Sequence, residues 1–158
     1  AAAHPQAVLR ARLMLHADGR IETDAAAFNI NHAPEPVATR LASAPLRQTQ
    51  SELIRHKTTR RAHYEAFAPP DGLFDTLLWN EAGEITEFTR GNVAVRLGGR
   101  WLTPAASCGL LPGIGRAQAL AAGRISEGVI RVEDLRHNEG IAFINSLRGW
   151  LTVRLECG

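Results

Sequence analysis

Lysine is almost missing from this sequence. Of its 18 Lys and Arg residues, 17 are arginine and one is Lys57. Tyrosine and methionine occur once each, and the two cysteines are Cys108 and Cys157. Two cysteines cannot build a disulfide framework, so a reducing cytoplasm is the expected compartment. No apolar run approaches the roughly 20 residues a membrane helix needs, and residues 1–12 lack the cationic-then-apolar order of a secretory signal. Aromatics are 6% and the net charge is only +2, with basic residues scattered, so no nucleic-acid partner is expected. The six histidines lack metal-ligand spacing, apart from His56 and His63 seven residues apart, and no metal is expected. Gly109 to Gly115 has no Lys-Ser/Thr ending and is not a nucleotide P-loop.

What is present is an ordinary globular composition. Hydrophobic residues are 45% and charged residues 22% of 158, enough to bury one core. The lone lysine then stands out for its chemistry. Arginine stays charged at any working pH, whereas a lysine amine can be desolvated, deprotonated and made nucleophilic. The plain alternative is a surface amine in an arginine-biased chain.

Alternating residues from Val8 to Thr23 around Asp18-Gly19 predict a hairpin. Residues 29–50 carry three of the eight prolines and read as a linker with one short strand at 37–42. The expected organisation is therefore 1–50, the end of a small N-terminal domain plus linker, and 51–158, a C-terminal domain. A helix is predicted over 51–67, capped near Ser51 or Thr49 and ended by Pro69-Pro70. Strands follow at 74–80, from Ile85, and at 92–97 and 100–103 around Gly98-Gly99. A helix is predicted over 114–122, closed by Gly123. Short strands at 129–132, 141–144 and 150–155 complete an α+β chain in which strands dominate.

Four segments, in order, carry a resemblance. They are Lys57-Thr58-Thr59-Arg60-Arg61 with Tyr64; Gly83-Glu84-Ile85-Thr86-Glu87-Phe88-Thr89-Arg90-Gly91-Asn92; Leu110-Leu111-Pro112-Gly113-Ile114-Gly115-Arg116; and Asn145-Ser146-Leu147-Arg148-Gly149. Together they resemble the C-terminal part of the class IV (fold type IV) pyridoxal-phosphate enzymes, over roughly residues 50 to 155. Any one motif is weak; four in register are specific.

The resemblance implies a barrel-like, strand-rich core with two or three packed helices, and pyridoxal 5'-phosphate as cofactor. It implies that Lys57 forms the Schiff base and moves protons at the substrate carbon. Glu87 would sit beside the pyridine nitrogen and keep it protonated, so that the ring acts as an electron sink. The backbone N–H groups of Ile114 and Gly115, at a helix start, would bind the phosphate, with Ser146 as a second contact. Relatives often carry Thr or Ser where Gly115 stands, so a hydroxyl contact is lost there. Tyr64, seven residues from Lys57 and on the same face of the predicted helix, lines the cofactor pocket or packs in the core. Arg148 is a candidate for a substrate carboxylate, or a solvated arginine. Cys108 reads as a small buried thiol.

Within the family the Lys57 and Asn145 strings look most like the lyase domain fused to aminodeoxychorismate synthase component I. That implies a 4-amino-4-deoxychorismate lyase forming p-aminobenzoate and pyruvate, as a cytoplasmic homodimer acting on a small molecule, with no membrane partner. The alternatives are an aminotransferase for branched-chain or D-amino acids, and a catalytically silent fragment. Family members usually carry about a hundred residues ahead of this part, which supply one wall of the pocket and an arginine to the phosphate. Here only the end of that segment is expected.

Overall fold

The computed structural model describes residues 8–28, 36–47 and 49–156. It contains two compact units, residues 1–33 and 34–158. The first is an antiparallel hairpin, β1 (Leu9–Leu15) and β2 (Ile21–Ala27), in which Leu9 pairs with Ala27 and Leu15 with Ile21. The predicted Asp-Gly turn is there: Gly19 has φ +84°, and Asp18 Oδ1 accepts the Arg20 N–H at 3.0 Å.

The second unit is built on one eight-stranded sheet. Its strands are β3 (Val37–Leu41), β4 (Asp75–Trp79), β5 (Ile85–Phe88), β6 (Asn92–Leu97), β7 (Arg100–Pro104), β8 (Ser126–Gly128), β9 (Gly140–Asn145) and β10 (Gly149–Glu156). Their order across the sheet is β5-β4-β3-β10-β9-β6-β7-β8. The pairs β3/β4, β3/β10 and β7/β8 are parallel, and the others antiparallel. The edge strand β5 comes back against β6 and β7, which curls the sheet into a half-barrel. Leu77, Leu78, Ile85, Phe88, Val93, Val95, Ile141, Phe143 and Leu151 fill it, all at 2% exposure or less.

The short strand expected at 37–42 is β3, and it belongs to this sheet, not to a free linker. Two of its prolines stay outside the paired residues, Pro36 ahead of β3 and Pro45 after it; Pro34 lies outside the described residues. One other expectation fails. No strand forms at 129–132: β8 ends before it, at 126–128, and Ile130 and Arg131 pair only through an isolated bridge and the Ile85 N–H bond. Residues 132–137 then form a 3-10 helix, whose Asp134 side chain accepts the Arg131 N–H.

The larger correction concerns residues 51–67. In place of one helix there are two single turns, α1 (Glu52–Arg55) and α2 (Ala62–Glu65). His56 is extended, at φ −116° and ψ 137°. Thr58 Oγ1 accepts the Arg60 N–H at 3.2 Å, so a threonine turn replaces helical bonding. Two adjacent β-branched threonines weaken a helix further. Each helical turn keeps one buried anchor, Ile54 and Tyr64, which pack with Ala42, Leu46 and Leu78.

The second predicted helix is present as α3 (Ile114–Ala121). It packs on β9, and Ala119 joins a core cluster with Ala94 and Ala142, which pair across β6 and β9. Small residues on both surfaces let the helix approach closely. Cys108 is buried, and burial, with Glu84 beside it, pushes its thiol pKa up. Cys157 lies outside the described residues.

Candidate active site

Lys57 lies exposed in the extended connection between α1 and α2. Tyr64 therefore does not share a helical face with it. The two meet differently: both line one cavity, together with Arg61, His63 and Leu111. His63 Nε2 is buried in this wall without a hydrogen-bond partner, and burial, then Arg61, lower its pKa.

Glu87 points inward from β5 at 3% exposure. Its oxygens are claimed by different parts of the chain. The Tyr64 hydroxyl donates to Oε1 at 2.6 Å, and the Leu111 backbone N–H donates to Oε2 at 3.1 Å. Burial raises the Glu87 pKa to about 7. The two hydrogen bonds and the Arg61 charge oppose that rise, while Asp75 adds to it. A carboxylate so placed has a strong reason to receive a cation.

Leu111 opens the turn that leads into α3. Its carbonyl accepts from Asn92 Nδ2 at 2.8 Å, and Asn92 Oδ1 lies where a Cβ on Gly113 would fall. The turn is thus pinned to β5 through its N–H and to β6 through its carbonyl. Gly113 caps α3 without a side-chain bond, so the first N–H groups of α3 have no side-chain partner there. A Cβ on Gly115 would come within 3.0 Å of the Asn145 carbonyl carbon and 3.2 Å of the Ser146 nitrogen. A side chain there would require the facing turn to give by a few tenths of an ångström.

That facing turn is held by Asn145, whose Oδ1 accepts the Leu147 and Arg148 N–H groups at 3.1 and 2.7 Å. The Ser146 hydroxyl is left outside the turn's own bonding. Gly115, Asn145 and Ser146 border a recess of about 310 Å³ that Trp150 and Arg124 also line. Arg148 lies with its guanidinium 5.8 Å from the centre of the Phe74 ring, and Arg90 lies 5.0 Å from the same ring. The Arg90 carbonyl accepts from Asn145 Nδ2, and the Thr89 carbonyl from Arg61, so the 89–91 turn joins the Lys57 segment to the 145–148 turn.

The structure thus gathers Lys57, Tyr64 and Leu111 in one cavity wall, Glu87 behind it, and Ile114, Gly115 and Ser146 at the adjoining turns. Sequence reasoning gave no role to Arg61, Asn92 or Asn145, although each stands inside a quoted motif. Their work is to hold backbone, and a side chain bonded to backbone leaves no spacing signature. A ring cofactor with a phosphate fits these residues on two observations: a buried carboxylate burdened by its own charge, and an uncapped helix start closed by a glycine cradle.

A half-barrel of this topology with such a site defines an aminotransferase-like enzyme class. The Amino-transferase class IV family matches residues 1–155, and the chain belongs to that family. A Schizosaccharomyces pombe protein, provisionally described as an aminodeoxychorismate lyase, is 38% identical over 102 residues, 60% of this chain and 44% of that protein. A Mesorhizobium loti structure, provisionally described as an amino-acid aminotransferase, is 35% identical with a TM-score of 0.89, covering 98% of this chain and 76% of that one. A Brucella abortus aminotransferase bound to PLP shares the fold at 18% identity, with a TM-score of 0.69 over 86% of this chain and 55% of that one. The chain spans less than half the length of the curated relatives it matches.

Proposed function

We propose that this chain carries the cofactor-binding part of a pyridoxal 5'-phosphate-dependent 4-amino-4-deoxychorismate lyase, with Lys57 as its catalytic amine. The observation that carries the reading is Glu87, whose two oxygens tie the Lys57 segment, through Tyr64, to the start of α3, through Leu111. Three of the four motifs thereby meet at one carboxylate. When bound, pyridoxal phosphate supplies the electron sink that makes a substrate C–H acidic.

The chain's own residues do the rest. Lys57 Nζ holds the cofactor and then carries a proton to and from the substrate carbon. Glu87 keeps the ring nitrogen protonated. The Ile114 and Gly115 N–H groups, with the Ser146 hydroxyl, hold the phosphate at the helix start. Tyr64 forms part of the pocket wall, and Arg148, steadied over Phe74, receives a substrate carboxylate. The reaction divides aminodeoxychorismate into p-aminobenzoate and pyruvate with no amino acceptor. The S. pombe relative supports this choice. The family resemblance supports a cytoplasmic homodimer as the working unit.

A second reading is an aminotransferase for branched-chain or D-amino acids, favoured by the M. loti structure. A third is a fragment without activity, favoured by the chain's short span relative to its curated relatives. One assay separates them. Supplied with pyridoxal phosphate and aminodeoxychorismate, the chain should release fluorescent p-aminobenzoate without added keto acid. Amino transfer that requires a keto acid and yields no p-aminobenzoate would establish the second reading. If borohydride fixes no cofactor to Lys57 and neither product forms, the third holds.

A further inference from the structure

We propose that Tyr64 is the positioning residue of Glu87: its hydroxyl, donated to Oε1, holds that carboxylate ionised and aimed, so that it can keep a bound ring nitrogen protonated. This rests on the assignment of Glu87 to the ring nitrogen made above. It gives Tyr64 a task different from contact with the cofactor.

The charged and titratable groups around Glu87 are few. Tyr64 faces it from α2, Arg61 from the residues ahead of α2, and Asp75 from β4; among the described residues the other donor to it is the Leu111 N–H. Burial and Asp75 favour the protonated carboxyl, which lacks the negative charge that stabilises a protonated ring nitrogen. Tyr64, Leu111 and Arg61 favour the carboxylate. Among these, Arg61 acts without touching Glu87. Its guanidinium lies 4.7 Å from the centre of the Tyr64 ring, and it donates to the Thr89 carbonyl. Loss of the Tyr64 hydroxyl would leave one direct donor on a buried charge.

Tyr64 is suited to be a permanent donor. Burial, together with the Glu87 charge, pushes its own ionisation well above the ordinary tyrosine range. Packing alone does not call for the hydroxyl. The ring meets Ala42, Leu46, Ile54 and Leu78, all apolar, and phenylalanine would fill the same volume. A structural role and a positioning role therefore give different results for Tyr64→Phe.

Because Tyr64 is the sole tyrosine, biosynthetic 3-fluorotyrosine places one fluorine label beside Glu87 and nowhere else. In the cofactor-free chain its ¹⁹F resonance should titrate with the Glu87 midpoint, near 7, and lose that transition in Glu87→Gln. A flat wild-type titration would overturn the proposal without any variant having to fold. In Tyr64→Phe, carboxyl-¹³C glutamate should show the Glu87 midpoint raised by roughly one to two pH units, the size of a hydrogen bond to a charge. An unmoved midpoint also overturns it. In the loaded enzyme the acid limb of the rate profile should rise by the same interval, with KM unchanged and the rate recovered at high pH. Should the carboxyl midpoint move while aminodeoxychorismate is not turned over at any pH, the pairing stands and the lyase reading falls.

Discussion

Glu87→Gln tests the electrostatics of the site without cofactor or substrate. Burial, the largest cause, raises the folded-state pKa of Glu87 from 4.5 to about 7. A pKa raised on folding means that the folded chain binds this proton more tightly than the unfolded one. The resulting stability is fully present below about pH 4.5 and is lost as the pH climbs through 7. The interval of about 2.5 units at 1.36 kcal/mol per unit is about 3 kcal/mol, a large share of a domain's margin. Urea unfolding of wild type and Glu87→Gln, from pH 4.5 to 8.5, reads this directly, because every other carboxylate is common to both. The wild-type advantage should shrink by about 3 kcal/mol over that range, most steeply between pH 5 and 7. Saturating pyridoxal phosphate should flatten the difference by giving the carboxylate a cationic neighbour. Parallel pH profiles for the two proteins would refute the reasoning: the carboxylate would then be no more strained folded than unfolded.

Other perturbations follow from the same geometry. Gly115→Thr should lower stability and pyridoxal phosphate affinity together, since its Cβ would press the Asn145–Ser146 backbone; thermal melts and a binding titration with the cofactor read the two losses. Ala142→Leu should cost about 1–3 kcal/mol by lifting α3 from its alanine seat, measurable in denaturant. Asp75→Ala should cost about 3 kcal/mol or more by denaturant unfolding, because this fully buried carboxylate accepts from both the Thr89 N–H and hydroxyl and pairs with Arg90 at 3.2 Å. Borohydride trapping should label wild type at Lys57 and leave Lys57→Ala without a side-chain label; peptide mapping distinguishes that label from one on the terminal amine.

The legible and illegible parts of this molecule differ in kind. Turn chemistry placed the hairpins at Gly19 and Gly98-Gly99 and the start of α3, because Asp-Gly, Gly-Gly and Pro-Gly act over neighbouring residues. Most strands were legible for the same local reason; the one expected at 129–132 was not, since β8 at 126–128 is set by its parallel pairing with β7. The 51–67 helix was not, since its break depends on Thr58 turning onto Arg60 and on the separate burial of Ile54 and Tyr64. Composition drew attention to Lys57, and motif order grouped it with Glu87. The bonds that make the group a site run from Tyr64 to Glu87, from Glu87 to Leu111 and from Leu111 to Asn92. Each spans about twenty residues, and no periodicity encodes it.

The place of β10 in the sheet has a consequence for how the site comes into being. It lies between β3 and β9, with Val153 beside Val37 on one side and Ile141 on the other. Before β10 is synthesised, β3 and β9 have no strand between them, and β5-β4-β3 meets β9-β6-β7-β8 only where β5 packs against β6 and β7. Glu87 stands on the first; Asn92 and Ser146 belong to the second. Such long-range closure is slow, and it must wait for the ribosome to deliver residues beyond 149. A nascent chain stalled at about residue 148 would hold Lys57, Tyr64, Glu87 and Ser146 but lack the strand that pairs with both β3 and β9. Ribosome-bound chains ending on either side of β10 should thus differ sharply in protease resistance.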